Sequence, residues 1–315
     1  MNTIELAKGK WFHILSKLGV CESFLDNKAG PCPLCGGKDR FRWDDYEDNG
    51  NYFCNQCGSG NGFKLLIELH NWTFREAAAE VDKIVNGYTD IQAPNKKPID
   101  FEKRKESIDK IIQSSKLSIP GDPVFEYLTN RGLSDIPRSI GYCKKLFDFE
   151  SKKTYHGMVN RIIAPNDSVV SLQRTFIKDG MKAEIDSPRK IMPTLGTING
   201  AAIRLFTIPA DGIIGVAEGV ETAIAVKEIF NVSCWSVMSA NGIKTFQPPK
   251  EVKEVIIFGD NDKNFIGQGA SYTLAKTLIA QGIISSVEIP PRVGNDWLDE
   301  LIFKNSLNNK PQAER

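Results

Sequence analysis

No apolar run in this chain approaches the roughly 18 residues of a membrane span, and Met1 to Lys10 lacks the apolar core of a signal peptide. A cytoplasmic protein with no membrane association is expected. Histidine is scarce: the three, His13, His70 and His156, are scattered, the first two in predicted helices and the third before a strand, and are read as structural or surface residues. A Gly-x-x-x-x-Gly-Lys-Ser/Thr phosphate loop is absent, which removes the usual nucleotide cradle of a helicase. There is no internal repeat. Net charge is nearly absent too, at +1 from 40 Lys+Arg and 39 Asp+Glu, so the chain is not a generally basic nucleic-acid binder. Disulfides are not expected: four of the seven cysteines stand in Cys-x-x-Cys pairs, which in a reducing compartment read as metal ligands. Cys21, Cys143 and Cys234 are expected to be small buried residues.

What charge there is has a distribution. Residues 1–88 carry 10 cations and 12 acids, residues 89–200 carry 19 and 14, and residues 201–315 carry 11 and 13. A basic middle beside an acidic end fits a phosphate-backbone surface next to a cation-dependent site. At 315 residues there is room for two or three domains. The predicted fold is multidomain, α+β and α/β. Residues 1–88 form a small zinc ribbon with flanking helices, including one over Trp11–Leu25. Residues 89–106 form a linker containing Pro94 and Pro98. Residues 107–200 form a basic mixed subdomain with a helix over Val124–Asn130 and strands over Met158–Ala164 and Val169–Thr175. Residues 201–305 alternate strand and helix, as a helix-covered parallel sheet does, and residues 306–315 form a polar, frayed tail.

Cys32-Pro-Leu-Cys35 and Cys54-Asn-Gln-Cys57 are separated by 18 residues, within the window for a four-thiolate zinc site. Gly36, Gly37 and Gly58 follow the two knuckles, where the backbone must turn its amides back to sulfur. Between the knuckles, Lys38-Asp-Arg40-Phe-Arg42-Trp43 reads as a strand with Lys38, Arg40 and Arg42 on one face and Phe41 and Trp43 on the other. The aromatics, with Phe53, suit the tiny core, and the cations suit single-stranded nucleic acid. Asp44, Asp45, Glu47 and Asp48 make that surface weak and local.

A second constellation is acidic. Glu218 follows the apolar strand Ile213–Ala217, and Asp260 and Asp262 follow the apolar strand Val255–Gly259. Functional groups of open parallel sheets gather at the carboxyl ends of strands, so the three acids are expected to converge. Oxygen ligands held this way suit magnesium or manganese. Gly219 and Gly259 are expected to free the backbone beside them. Glu218 is a candidate general base or a metal ligand. Glu221 is a possible additional acid or a helix-dipole partner, and Asp296 and Asp299 are a possible third acidic arm or helix caps.

These residues resemble known families. Pro31-Cys-Pro-Leu-Cys-Gly-Gly-Lys-Asp-Arg-Phe41 with Tyr52-Phe-Cys-Asn-Gln-Cys57 resembles the zinc ribbon of phage- and plasmid-borne primases, and Glu218-Gly-Val-Glu-Thr222 with Gly259-Asp-Asn-Asp262 resembles the Toprim domain of DnaG-type primases, topoisomerases and some nucleases. Ser171–Arg174 through Arg204-Leu205 resembles the region ahead of Toprim in mobile-element primases. The resemblance implies that Cys32, Cys35, Cys54 and Cys57 bind one structural zinc, and that Glu218, Asp260 and Asp262 are the catalytic, magnesium-binding acids. It implies that Arg161, Arg174, Lys178, Arg189 and Lys190 line a template channel, with Lys38, Arg40 and Arg42 helping at the start site. A DNA primase acting on a single-stranded DNA template with NTPs, and with a replicative helicase in trans, is the expected function. A non-catalytic zinc/Toprim scaffold and a Toprim nuclease are the alternatives. A topoisomerase is disfavoured, because Tyr127, Tyr142, Tyr155 and Tyr272 lack a recognisable nucleophile context.

Overall fold

The computed structural model describes residues 2–86 and 100–308, which fall into two units, 1–99 and 100–315. In the first, α1 (Thr3–Ala7) and α2 (Trp11–Lys17) precede four short antiparallel strands in sequential order: β1 (Gly30–Cys32), β2 (Gly36–Trp43), β3 (Tyr52–Cys54) and β4 (Gly58–Gly60). Helices α3 (Gly62–His70) and α4 (Phe74–Val85) follow. The helix expected over Trp11–Leu25 stops at Lys17, because Gly19 turns left-handed (φ +90°); only a 3₁₀ turn, Glu22–Phe24, resumes beyond it. Thr73 starts α4 with a full capping box: its Oγ1 accepts from the Glu76 amide at 3.3 Å, and Glu76 Oε2 accepts from the Thr73 amide at 2.7 Å.

Period two in β2 sorts side chains as its sequence dictates. Phe41 and Trp43 are buried, Lys38 and Arg42 are exposed, and Arg40 is half-buried against Gln56. Phe41 stacks on Tyr52 at 5.4 Å and joins Trp11, Ile14, Leu65, Leu66, Ala77 and Val81 in one apolar cluster, so ribbon and helices share a core. Phe53 is only half-buried.

The second unit opens with α5 (Phe101–Ser114). Of the linker expected over 89–106, residues 87–99 lie outside the described residues. Phe101–Glu106 are helical, capped by Asp100, whose side chain accepts from the Lys103 amide. Next come β5 (Ser115–Leu117), α6 (Pro123–Asn130), β6 (Gly141–Asp148), β7 (Lys153–Ile163), β8 (Val169–Lys178), β9 (Met181–Lys182) and β10 (Arg189–Ile191). They form an antiparallel sheet of order β10-β8-β7-β6-β5, with β9 on β8. One face of this sheet holds Cys143, Leu146, Val159, Leu172 and Phe176 against Ile108 of α5. The other holds Tyr142, Met158, Ile162 and Ile177 in a core shared with the C-terminal layer.

That layer comprises β11 (Ile213–Ala217), α7 (Val220–Phe230), β12 (Cys234–Ser236), α8 (Ala240–Thr245), β13 (Glu254–Phe258), α9 (Ile266–Ala280), β14 (Ile284–Glu288) and α10 (Trp297–Asn308). Its sheet is parallel throughout, in the order β12-β11-β13-β14. The expected frayed tail begins too early: Ser306 belongs to α10, and residues 309–315 lie outside the described residues. Cys143 and Cys234 are buried, but Cys21 is exposed, since it precedes a surface 3₁₀ turn. No helix among the described residues is long and apolar enough to cross a membrane.

Candidate functional sites: a thiolate centre and a carboxylate cluster

The four paired cysteines meet. Sγ of Cys32 lies 3.9 Å from that of Cys57, Sγ of Cys35 lies 3.7 Å from that of Cys54, and all four fall within 4.8 Å. Four bonds of about 2.3 Å to a tetrahedral zinc place sulfurs about 3.8 Å apart, so these residues fit zinc. Backbone amides already point at sulfur: Leu34 at Cys32 (3.4 Å), and Gln56 and Cys57 at Cys54 (3.4 and 3.3 Å). That geometry requires left-handed turns, which Gly36 (φ +70°), Gly37 (+86°) and Gly58 (+90°) provide. Burial pushes the Cys32 thiol up to about 11, while the hydrogen bond with Cys57 brings the Cys54 thiol down to about 5; four thiolates this close together need a cation to coexist.

The acids converge as the alternation implied. β11 and β13 are direct parallel neighbours, with Ala217 opposite Phe258, so Glu218 and Gly259-Asp260 leave the sheet side by side at its carboxyl end. Burial pushes the Asp260 carboxyl up to about 8, and the charges of Glu218, Asp296, Asp262 and Asp299 add to it. Five carboxylates therefore share one field. Asp260 Oδ1 is buried and has no hydrogen-bond partner among the described residues, the state of a donor atom shaped for a cation. The acids are not drawn together as tightly as the thiols. Among the described residues, the cysteine set is the one group of three or more His, Cys, Asp or Glu residues whose ligand atoms are close enough to hold a metal, all within 4.8 Å of one another.

The loop bearing Asp260 and Asp262 is pinned from several sides. Asp262 Oδ2 accepts from the Gly267 amide at 2.8 Å, and Gln268 Nε2 donates to Asn261 Oδ1 and to the Asp262 carbonyl. Asn261 Nδ2 donates to the Pro290 carbonyl. Gly259 is required by close packing: a Cβ there would lie 2.3 Å from Ser271 Oγ. Gly219, by contrast, is plainly extended (φ −93°, ψ 155°), so the expected need for backbone freedom there does not arise. Asp296 and Asp299 do both jobs considered for them. Asp296 Oδ1 accepts from the amides of Leu298 and Asp299, capping α10, while its Oδ2 accepts from Thr222 Oγ1 and its charge reaches Asp260.

Glu221 is a correction. It is buried in the first turn of α7, where its carboxylate accepts hydrogen bonds from Tyr127 Oη (2.6 Å) and Arg189 Nη2 (2.8 Å) and faces Lys182 Nζ at 3.6 Å. This acid is committed to cations rather than to a metal. Sequence spacing missed its partners, which come from α6, β9 and β10.

The expected template cations separate accordingly. Arg161 is exposed on β7 and makes no ion pair among the described residues. Lys178 is exposed beside Asp179. Arg174 is largely covered, with its guanidinium 5.7 Å from the Phe176 ring. Arg189 is held by Glu221, and Lys190 by Asp148 (2.7 Å) and Glu150 (2.6 Å). The last two are paired within the protein, not presented as free cations.

Comparison with known proteins agrees with this division. Residues 27–63 match the zinc-binding domain of primase-helicase, residues 213–304 match the Toprim domain, and residues 102–205 match a domain family of unknown function. Among solved structures, the chain is similar to the Aquifex aeolicus primase zinc-binding and RNA polymerase domains, at 15% identity over 98% of this chain and 84% of that one, with TM-score 0.44. It is also similar to the primase fragment of the bacteriophage T7 primase-helicase, at 18% identity over 88% and 98%, with TM-score 0.38. A DNA primase domain from Pseudomonas aeruginosa matches at 13% identity over 67% and 78%, with TM-score 0.41.

Proposed function

We propose that this chain, a primase-type zinc ribbon followed by a Toprim domain, is a DNA primase that joins ribonucleotides on a single-stranded DNA template. The observation that carries this reading is the field of four carboxylates acting on Asp260, whose Oδ1 has no hydrogen-bond partner among the described residues, at the carboxyl ends of two adjacent parallel strands. Glu218, Asp260 and Asp262 would hold the magnesium or manganese, with Asp296 and Asp299 behind them. A bound divalent cation supplies a lowered pKa at the primer hydroxyl and neutralises charge developing at phosphorus. The protein's part is to hold the acids in register. The β11–β13 pairing fixes Glu218 against Asp260, and α9 fixes Asp262 through the Gly267 amide. With Asp262 restrained in this way, Glu218 is the acid proposed to take the hydroxyl proton or to join the metal. The ribbon cations Lys38 and Arg42, with Arg40, and the exposed Arg161 are proposed to meet template phosphates. A replicative helicase in trans and a mobile genetic element as the setting complete the proposal.

Primer synthesis on random single-stranded DNA with labelled NTPs and magnesium tests it. Short products from wild type, lost in Glu218→Gln and Asp260→Asn, are expected. Template degradation without products would mean a nuclease instead. Neither products nor degradation, with unchanged DNA binding in both variants, would mean a scaffold.

A further inference from the structure

The hairpin joining β6 to β7 presents an unusual surface. Most large apolar side chains of this unit are buried, yet Phe147 and Phe149 are 41% and 70% exposed. They touch edge to face, with ring centroids 5.0 Å apart. Phe149 lies in the turn beyond β6, and the strand register places Phe147. Leu146 pairs with Tyr155, and both pack in the α5-side cluster. Phe147 pairs with Thr154, so it takes the opposite face, the one that further along the same strands carries Met158 into the core shared with the C-terminal layer. A bulge between Cys143 and Leu146 sets this parity and leaves both Lys144 and Lys145 exposed.

Charge completes the surface. Lys144, Lys145, Lys152 and Lys153 each lie within four residues of Phe147 or Phe149 along the hairpin, are all exposed, and form no ion pair among the described residues. The hairpin's own acids, Asp148 and Glu150, are both engaged by Lys190 from β10, so with Lys190 the hairpin carries five cations against two acids. Two adjacent exposed aromatic rings on a hairpin with a cationic excess are the elements of a base-stacking platform with phosphate contacts. A protein partner would equally welcome the rings, but the excess of lysines along so short a hairpin favours a polyanion.

We propose that this hairpin binds single-stranded DNA, stacking bases on Phe147 and Phe149 while the four lysines hold the flanking phosphates. The platform lies on the core-facing side of the sheet, four residues of β7 from Met158, about 13 Å at strand rise. The assignment of DNA as the strand bound rests on the primase reading; the stacking surface does not.

The test is binding of a fluorescein-labelled oligo-dT to the full chain across a salt series, read by anisotropy. Phe147→Ala/Phe149→Ala should weaken binding about tenfold or more while leaving the salt slope unchanged. Replacing the four lysines by Gln should flatten the slope of log K against log salt by about 0.7 for each phosphate no longer neutralised. Phe149→Trp should retain affinity and show its indole fluorescence quenched by the oligonucleotide. Wild-type affinity and slope in both multiple variants, at unchanged melting temperature, would overturn the proposal, as would an unquenched indole in the Phe149→Trp variant. Glu218→Gln, run alongside, separates the two ideas. Loss of synthesis with normal oligo-dT binding is the primase signature, and hairpin-dependent binding without synthesis in wild type would sink the primase reading alone.

Discussion

Nη2 of Arg189 lies 2.8 Å from both carboxylate oxygens of Glu221, which joins strand β10 of the antiparallel sheet to the first turn of α7 in the Toprim layer. Tyr127 from α6 closes the same carboxylate at 2.6 Å. The joint is buried, so its worth depends on every partner remaining in place.

Burial by itself would raise the Glu221 carboxyl, but Arg189, Lys182 and Tyr127 outweigh it and hold it at about 2, below the ordinary 4.5. A depressed folded-state pKa contributes stability in full above about pH 4.5, and that contribution disappears as pH falls through about 2. The unfolding free energy of wild type from urea titrations should therefore drop across this window, by an amount of order 3 kcal/mol from this group. Glu221→Gln, which leaves Arg189 and Lys182 facing no charge, should be destabilised by about 3 kcal/mol at pH 7 and show a shallower acid limb. Parallel acid limbs in the two proteins would exclude this linkage.

Two glycines of α9 should respond oppositely to alanine. At Gly267 a Cβ would lie 2.7 Å from the Asp260 carbonyl oxygen and 3.1 Å from Asp262 Oδ2; at Gly269 it would meet nothing within 4 Å. Gly267→Ala should cost about 1–3 kcal/mol and most primer synthesis, because the acidic loop must shift. Gly269→Ala should gain up to about 1 kcal/mol with synthesis unchanged. Thermal melts and the primer assay on both variants decide it.

Zinc should be present at about one per chain by a colorimetric chelator assay. Because Cys32 and Cys54 are part of the same apolar cluster as Trp11, Phe41 and Leu65, metal removal should loosen residues 2–86 rather than a local loop. Cys54→Ser should lower zinc content and abolish protection of these residues in hydrogen exchange, with residues 100–308 unaffected.

The capping box at Thr73 offers a milder probe. Thr73→Ala removes the acceptor for the Glu76 amide and should destabilise the first unit by about 1 kcal/mol. A Thr73→Ser variant should restore the midpoint, which distinguishes loss of the cap from loss of the methyl group.

Much of this protein is local in sequence. Two Cys-x-x-Cys knuckles with glycines behind them specify a zinc centre, because the ligands and the turns that aim the amides are nearest neighbours in the chain. Apolar strands ending in Glu218 and in Gly259-Asp260 specify an acidic edge of a parallel sheet, because strand period and crossover helices leave few other arrangements. What only tertiary structure decided is how charges from distant segments were shared out. Glu221 reads as either an additional acid or a helix-dipole partner until α6, β9 and β10 bring Tyr127, Lys182 and Arg189 to it. Arg189 and Lys190 read as template cations until the fold supplies Glu221, Asp148 and Glu150. Phe147 faces away from the α5-side core because of a bulge between Cys143 and Leu146, which no period along the chain announces. In each case the outcome, an ion pair or an exposed face, depends on what the fold brings alongside rather than on any period along the chain.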